Sequence, residues 1–242
     1  MQNPCKEIFD KDAMAVAGAY DQYFRVGNNA LEIIEKSLEL SGRRGDPKCI
    51  FDFPCGAGRV TRWLRARWPN ASIYVSDLSK QEMDWCVGKF GCIEVEPHVD
   101  FESVVLSQKM DLVWCGSLLT HLSEERALQL LSCMSSWIKL GGVFVATTHG
   151  RGRINQLYNG SASGLKTEET DRVIADASKN GYGYGDYSNN KYGFSVNKPS
   201  WLIDWVEKQA DLKLILMSEG LWGGRQDVFA VSKVAPSFCF SL

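Results

Sequence analysis

Between residues 49 and 148 the chain alternates short apolar segments with longer amphipathic ones, which limits the folds open to it. Short apolar runs bounded by turn residues predict buried strands, and apolar residues at helical spacing predict the helices between them. The predicted strands are Cys49–Phe53, Ser72–Ser76, Ile93–Glu96, Asp111–Cys115 and Val143–Thr148. The predicted helices are Arg59–Trp68, Lys80–Lys89 and Glu124–Ile138. Because strand–helix–strand units have right-handed crossovers, we expect a mostly parallel sheet with helices on both faces.

Composition fits one globular domain and argues against several kinds of partner. The chain has 242 residues, of which 45% are hydrophobic and 23% charged, enough to bury a core and too apolar for disorder. Its formal net charge of −2 provides no positive field for nucleic acid or an anionic membrane. Four arginines are interpreted as the solvated face of an amphipathic helix: Arg59, Arg62, Arg65 and Arg67.

The cysteines and the N-terminus predict a cytoplasmic setting. The eight cysteines include no C-x-x-C pair, and several lie in apolar runs, where free cysteine behaves as a small buried hydrophobe. The N-terminus lacks the basic and apolar regions of a signal peptide, and no apolar stretch approaches the length of a membrane span.

A glycine-containing turn follows the first predicted strand. Gly56 and Gly58 allow the backbone to approach a ligand closely, and the next helix presents free N–H groups. Asp77 ends the second strand about 20 residues later, where a carboxylate accepts both hydroxyls of a ribose. The alternative for Asp77 is a cap on the helix that follows. A dinucleotide site uses G-x-G-x-x-G, whereas this turn has only G-x-G after Pro54, which favours a single nucleoside.

An ordered series of motifs resembles the class I S-adenosylmethionine-dependent methyltransferases. The series is IFDFPCGAGRV, VSDLS, DLVWCGSLLTHLSEE and LGGVFVATTHGR. The later segments GYGYGDY, YGFSV and RQDVFAV resemble a bacterial subgroup often associated with glycosyltransferases, and the whole resemblance covers roughly residues 15–232. It implies a doubly wound, Rossmann-like α/β fold with a seven-stranded mixed sheet whose last strand is antiparallel. It also implies S-adenosylmethionine as cofactor and S-adenosylhomocysteine as product.

The resemblance implies cofactor contacts at the matched positions. The glycine turn would meet the methionine and ribose parts, Asp77 the ribose hydroxyls, and Leu78 the adenine ring. In chain order the positions are Asp52, Pro54, Gly56, Gly58, Asp77, Leu78, Asp100, Phe101, Gly116, Ser117 and Leu118. The family's commonest turn has glycine where this chain has Pro54, whose fixed φ and missing N–H alter the turn. This departure leaves open a chain that binds the cofactor without catalysis.

Two of the three histidines follow predicted strands four and five. A sulfonium is an activated methyl donor, so the protein mainly positions the acceptor, but a hydroxyl or amine must also lose a proton. An imidazole with a pKa of about 6.5 suits that role at neutral pH. We predict His121 as the general base, with His149 beside it; the alternative is that each caps a loop. His98 is given no role.

The predicted domain surrounds its ligands with four regions. Residues 1–45 form an N-terminal helical flap, residues 46–149 the cofactor-binding core, residues 150–200 a substrate lid, and residues 201–232 a final helix and strands. In the flap, Asn29 caps a helix, and Arg25 contacts the cofactor carboxylate unless its aromatic neighbours simply pack on the sheet. Substrate contacts, or a tyrosine-rich loop packing on itself, are predicted at Tyr182, Tyr184, Tyr187, Tyr192 and Gln226.

The predicted reaction is methyl transfer to a small-molecule acceptor, a hydroxyl of a sugar or a related metabolite. The alternatives are N-methylation of a small amine, a catalytically silent S-adenosylmethionine-binding partner, and a nicotinamide oxidoreductase. No metal is expected, because no clustered ligand set lies near the predicted site. No nucleic-acid or membrane partner is expected either.

Overall fold

The computed structural model describes residues 2–187 and 192–236. The strands are Cys49–Asp52 (β1), Ser72–Val75 (β2), Ile93–Glu94 (β3), Met110–Cys115 (β4), Ile138–Thr148 (β5), Tyr182–Asp186 (β6), Gly193–Asn197 (β7), Leu212–Trp222 (β8) and Gln226–Lys233 (β9). The helices are Tyr20–Leu40 (α1), Thr61–Arg67 (α2), Lys80–Phe90 (α3), Glu124–Trp137 (α4), Arg151–Tyr158 (α5), Thr167–Asn180 (α6) and Pro199–Glu207 (α7).

Seven strands form one mixed sheet in the order β3-β2-β1-β4-β5-β9-β8. Strands β3, β2, β1, β4 and β5 are parallel to one another, and β9 lies antiparallel between β5 and β8. The predicted Rossmann-like sheet with an antiparallel last strand is therefore confirmed. Ile50 and Phe51 are both fully buried on opposite faces of β1, because successive side chains alternate across a strand and helices cover both faces.

The first helix begins earlier than predicted. α1 starts at Tyr20, so Asn29 lies inside the helix and does not cap it. Its Oδ1 accepts the Gly223 N–H at 2.9 Å instead. The helix extends toward its N-terminus because Tyr23 is 3% exposed and lies on the same buried stripe as Ala30 and Ile34.

The interpretation of the arginine group as a solvated face is wrong for Arg62, which is 1% exposed. Its guanidinium donates to the carbonyl oxygens of Glu7 and Gly58 at 2.8 and 3.0 Å and lies 5.2 Å from the ring centroid of Tyr23. Arg62 thus fastens the N-terminal segment to α2, a role that helical periodicity does not reveal.

Residues 150–198 are more regular than their composition suggests. They form α5, α6 and a two-stranded antiparallel sheet of β6 and β7, around a separate core that includes Ile154, Val173 and Phe194. Residues 188–191, between the two strands, lie outside the described residues. The hairpin is attached to the end of β4, where the Ser195 hydroxyl donates to the Leu119 carbonyl at 2.7 Å.

Candidate functional site

A cavity of about 650 Å³ opens at the carboxyl ends of β1, β2 and β4. Its wall combines the turn after β1, the residues after β2 and the loop Gly116–Leu118 after β4. Open parallel sheets bind ligands at this edge, and the volume lies within the usual range for small-molecule sites. We call this space the main cavity.

Asp77 ties two of these loops together. Its Oδ2 accepts the N–H of Gly56 at 2.8 Å, and its Oδ1 accepts the N–H of Ser79 at 2.9 Å, immediately before α3. The carboxylate therefore does fix the local turn before the helix, and it also lies in the wall of the main cavity. Each carboxylate oxygen retains a second lone-pair site, so both interpretations of Asp77 are compatible.

Asp52 provides a buried acceptor in the same wall. It is 1% exposed, and its Oδ2 accepts the Thr61 hydroxyl at 2.6 Å. Its Oδ1 has no hydrogen-bond partner among the described residues. Burial raises the pKa of Asp52 to about 7, although the Thr61 hydrogen bond acts in the opposite direction. Such an atom fits a ligand that brings a hydrogen-bond donor. Pro54 lines the cavity as well, and the Phe53–Pro54 peptide bond is cis.

The three predicted glycines serve different purposes. Gly56 has φ +49°, and a Cβ added there would meet nothing within 4 Å, so its backbone faces open space. A Cβ on Gly58 would lie 2.4 Å from the Phe90 ring, and one on Gly116 would lie 2.9 Å from Trp114 Nε1. Gly56 and Gly116 line the main cavity, whereas Gly58 allows α2 and α3 to pack closely.

At one end of the main cavity, Leu78 is 66% exposed and Phe101 is buried, and both lie in the wall. Asp100 is exposed and is not among the wall residues. Its carboxylate accepts the Ser103 hydroxyl at 2.9 Å and the Gln129 side-chain amide at 3.2 Å. Phe101 is thus brought into the site, while Asp100 stabilises the 3₁₀ turn Phe101–Ser103.

A closed ring of hydrogen bonds holds Ser117 at the other end. Ser117 has φ +62°, an unusual value for a residue with a side chain. Its N–H donates to Thr147 Oγ1 at 2.8 Å, and its Oγ accepts Gln226 Nε2 at 2.7 Å. The Thr147 hydroxyl donates to Gln226 Oε1 at 2.6 Å, which completes the ring. Gln226 therefore supports the wall of the cavity through Ser117.

His121 lines the main cavity beside Leu118. Its Nδ1 lies 2.7 Å from the carbonyl oxygen of Gly193. Because a carbonyl only accepts, Nδ1 carries the hydrogen, and in the neutral ring Nε2 is then an acceptor. Burial holds the pKa of His121 below its ordinary value of 6.5, so the ring is neutral at pH 7.

His149 lies against the same hairpin and not in the wall of the main cavity. Its Nδ1 is 3.2 Å from the Ser195 carbonyl oxygen, and its ring centroid is 5.0 Å from that of Phe194. Burial, assisted by the positive charge of Arg153, lowers the pKa of His149 to about 4. The two predicted histidines share the hairpin, but only His121 faces the cavity.

The four predicted tyrosines divide into two groups. Tyr192 is 47% exposed and lines the cavity, and Tyr187 is 37% exposed with its hydroxyl on the Ser163 carbonyl at 3.2 Å. Tyr182 is buried and donates to the Leu122 carbonyl at 2.9 Å. Tyr184 has a buried hydroxyl that lacks a partner among the described residues. Only Tyr187 and Tyr192 offer exposed ring surface near His121.

Arg25, the predicted contact of the cofactor carboxylate, lies outside both cavity walls. Arg25 is exposed on α1 and absent from the cavity walls, whereas Arg59 lies in the wall with its guanidinium carbon 5.2 Å from the Trp222 ring centroid. Sequence reasoning missed Arg59 and Trp222. The available signal for Arg59 was its position directly after the glycine turn; Trp222 carried no comparable signal.

Comparison with known proteins agrees with this geometry. Residues 50–142 match the family model described as "Methyltransferase domain". A malonyl-[acyl-carrier protein] O-methyltransferase of Acetivibrio thermocellus is 27% identical over 155 residues, which is 63% of this chain and 53% of the relative. One from Hahella chejuensis is 29% identical over 119 residues, or 48% of this chain and 42% of the relative. The chain spans about half the length of the curated relatives it matches.

Solved structures share the fold. An S-adenosylmethionine-dependent methyltransferase from Clostridium acetobutylicum has a TM-score of 0.59 at 14% identity, covering 93% of this chain and 96% of the other. The plantazolicin methyltransferase BpumL, solved with a monoazolic desmethylPZN analog and S-adenosylhomocysteine, has a TM-score of 0.57 at 12% identity, covering 89% and 88%. At these identities the likeness concerns the fold.

The fold and the main cavity define an α/β protein with a ligand-sized cavity at the carboxyl edge of its sheet. More specifically, residues 50–142 match a methyltransferase domain model, and a solved S-adenosylmethionine-dependent methyltransferase shares the fold of the chain. Solved structures with this fold hold S-adenosylhomocysteine, and the residues present in this chain fit S-adenosylmethionine. Asp77 has lone pairs left to accept ribose hydroxyls, and the backbone of Gly56 is open to a ligand. Asp52 Oδ1 has no hydrogen-bond partner among the described residues, so it can accept a donor from the ligand.

Within residues 2–187 and 192–236, no group of three or more His, Cys, Asp or Glu side chains is placed to hold a metal ion. Over the same ranges, no helix combines the length and apolar character needed to cross a bilayer.

Proposed function

We propose that this chain transfers a methyl group from S-adenosylmethionine to an oxygen of a small-molecule acceptor, with His121 as the general base. The observation that carries the proposal is the position of His121. Its imidazole faces the same cavity as Asp77 and Gly56, in the tautomer that leaves Nε2 able to accept a proton. His149 is a weaker candidate, since it lies outside the wall of that cavity.

The cofactor and the residues of the main cavity have separate roles in the proposed reaction. The bound cofactor supplies an electrophilic methyl group on its sulfonium. Asp77 and Asp52 hold the nucleoside and amino-acid parts, which fixes the geometry that methyl transfer requires. Nε2 of His121 takes the proton of the acceptor hydroxyl, and the Gly193 carbonyl stabilises the resulting imidazolium through Nδ1–H.

A sugar-like acceptor is the finer part of the proposal. The exposed rings of Tyr192 and Tyr187 have their centroids 4.4 and 6.3 Å from that of His121. Aromatic faces provide large apolar surface with little entropy loss, which suits the apolar face of a sugar ring. None of the relatives named above has a sugar acceptor in its name, so this part depends on the tyrosines and the subgroup resemblance.

A carboxylate acceptor is the second candidate. The curated relatives are named malonyl-[acyl-carrier protein] O-methyltransferases. An ionised carboxylate has no proton to lose, so it would not need His121 as a base. N-methylation of an amine and a catalytically silent binder are the remaining alternatives, the latter suggested by Pro54 alone.

Titration calorimetry and an acceptor screen test the proposal in sequence. We expect S-adenosylhomocysteine to bind with micromolar or tighter affinity and NAD to bind at least about 100-fold more weakly, a difference of about 2.7 kcal/mol. A mass-spectrometric screen of hydroxyl, carboxylate and amine compounds with S-adenosylmethionine should then yield O-methylated product. Tight NAD binding without S-adenosylhomocysteine binding would contradict the cofactor assignment, and cofactor binding without any methylated product would favour the silent binder.

A further inference from the structure

A second cavity, which we call the side chamber, adjoins the main cavity. Its volume is about 390 Å³, and it shares wall residues with the main cavity, among them Met14, Arg59, Ser117 and Trp222. Its other walls are the N-terminal half of α1 and the turn between β8 and β9. A molecule in the side chamber therefore lies directly beside the proposed cofactor site.

The walls of the side chamber are fixed to each other by hydrogen bonds. Trp222 Nε1 donates to the Val26 carbonyl at 3.0 Å, and the Gly223 N–H donates to Asn29 Oδ1 at 2.9 Å. Both bonds join the β8–β9 turn to α1. These hydrogen bonds define the shape of the side chamber, and they hold the turn that carries Arg225 in place.

The side chamber has an excess of positive charge. Arg59 and Arg225 both line it, and no salt bridge within 4.0 Å involves either guanidinium among the described residues. Burial lowers the pKa of Arg59, with the charges of Tyr23, Asp12 and Asp52 acting in the opposite direction. Arg59 is partly buried without an ion pair, which favours a ligand anion beside it, and Arg225 is exposed and adds a second positive charge.

We propose that the side chamber binds an anionic group of the methyl acceptor through Arg225 and Arg59. The acceptor is then an acid that also carries the hydroxyl to be methylated. Guanidinium groups bind carboxylates and phosphates through two parallel hydrogen bonds, so either anion satisfies this chemistry. Gln22 and Gln226 in the same wall add neutral hydrogen-bonding groups. This inference rests on the proposed methyl transfer, since it specifies the acceptor of that same site.

The carboxylate of the cofactor itself is another source of such an anion. Arg59 lines both cavities, so it is placed to meet either molecule. Arg225 lines only the side chamber. A variant at Arg225 therefore separates the acceptor from the cofactor, and we assign the side chamber to the acceptor on this ground.

Calorimetry on the protein saturated with S-adenosylhomocysteine tests the proposal without requiring turnover. The probes are glucuronate, glucose 6-phosphate and neutral glucose, which share a sugar ring and differ in the anionic group. We expect both anions to bind at least about 10-fold more tightly than glucose, as two charge-assisted contacts allow. Arg225→Gln should abolish that preference and leave the affinity for S-adenosylhomocysteine within about 2-fold. Arg44→Gln, at an exposed loop residue outside both cavities, is the control with the same change of charge.

Each result decides the question. Preference for only one of the two anions supports the proposal and identifies its source as a carboxylate or a phosphate. Equal binding of glucose and the anions, no binding of either anion, or an unchanged preference in Arg225→Gln would overturn it. Weaker S-adenosylhomocysteine binding in Arg225→Gln would assign the side chamber to the cofactor instead. If no acceptor is methylated but the anions bind through Arg225, the proposed activity fails while the anion site stands.

Discussion

The imidazole of His121 stacks on the ring of Tyr192, with the ring centroids 4.4 Å apart and the planes 16° from parallel. The Gly193 carbonyl accepts the Nδ1–H of the same imidazole at 2.7 Å. Two neighbouring residues of the hairpin therefore fix both the orientation and the tautomer of the proposed base. The hairpin region therefore acts on the site through His121.

Removing the proton acceptor should affect turnover far more than cofactor binding. His121→Gln keeps a polar side chain of similar size but removes the basic nitrogen. We expect kcat to fall by about 10²- to 10⁴-fold, the usual contribution of a general base, while the dissociation constant of S-adenosylhomocysteine stays within about 2-fold. Stopped assays with mass spectrometry and calorimetry measure the two quantities. Tyr192→Phe, which keeps the stacked ring, is the matched control and should retain most activity. Turnover like that of the wild type in His121→Gln would favour the carboxylate acceptor.

The pH profile gives an independent measure of the same group. Burial lowers the pKa of His121 below 6.5, so the imidazole remains able to accept a proton at pH values where a free histidine is charged. We expect kcat/KM to decline on the acid side with a midpoint below pH 6.5, and this limb should be missing in His121→Gln. A midpoint above 6.5 would mean that another group controls the acid limb.

The sheet and the cofactor loops could be predicted because their signals are local. Strand periodicity, the glycine turn and the position of Asp77 all lie within single strand–loop–helix units. Buried roles that depend on distant partners could not be predicted. The helical pattern does not show that Arg62 donates to the Glu7 carbonyl, and the sequence does not show that Gln226 also supports Ser117.

The two helices and the hairpin of residues 150–198 could not be predicted from the sequence, for a different reason. Their core is small, and the glycines in β6 occupy strand positions where sequence suggests turns. A Cβ on Gly183 would lie 1.9 Å from the Val173 carbonyl oxygen, so this glycine is required by the close approach of α6. Composition alone cannot separate such packing glycines from flexible ones.

Loss of the Asp77 carboxylate should weaken cofactor binding specifically. Asp77→Ala removes the acceptor for the Gly56 N–H as well as the proposed contact with the ribose. We expect the affinity for S-adenosylhomocysteine to fall by about 10- to 100-fold, as loss of one or two hydrogen bonds to a charged group implies. Asp84→Ala on α3 is the control, because it removes an exposed carboxylate that is paired with Lys80. A surface ion pair contributes little energy, so the affinity for S-adenosylhomocysteine should change by less than 2-fold. Equal affinities for the two variants would show that Asp77 does not bind the cofactor.

The hydrogen-bond ring around Ser117 should set the shape of the cavity wall. Gln226→Leu removes both bonds that Gln226 makes to Ser117 and Thr147. We expect a loss of about 1–3 kcal/mol in the free energy of unfolding and a lower kcat/KM, because the left-handed backbone of Ser117 loses its support. Ser117→Gly adopts the same φ without strain, so it should lose less stability than Gln226→Leu. Chemical denaturation of both variants measures this difference, and a larger loss in Ser117→Gly would argue against backbone strain.

Ionisation of Asp52 should lower the free energy of unfolding of the protein at and above neutral pH. Burial raises its pKa from 3.8 to about 7, so the folded state holds a proton that the unfolded chain has already released between about pH 4 and 7. The unfolded state therefore binds fewer protons in that window, and the contribution of Asp52 to stability falls as the pH rises through it.

In Asp52→Asn this decline is removed, while the amide oxygen can still accept the Thr61 hydroxyl. Without cofactor, we expect the variant to gain about 2–3 kcal/mol relative to the wild type between pH 5 and pH 8. Denaturant unfolding at both pH values measures this gain, and S-adenosylhomocysteine should bind the variant more weakly because the buried acceptor is lost. A stability difference that does not change with pH would show that Asp52 is ionised normally in the folded protein.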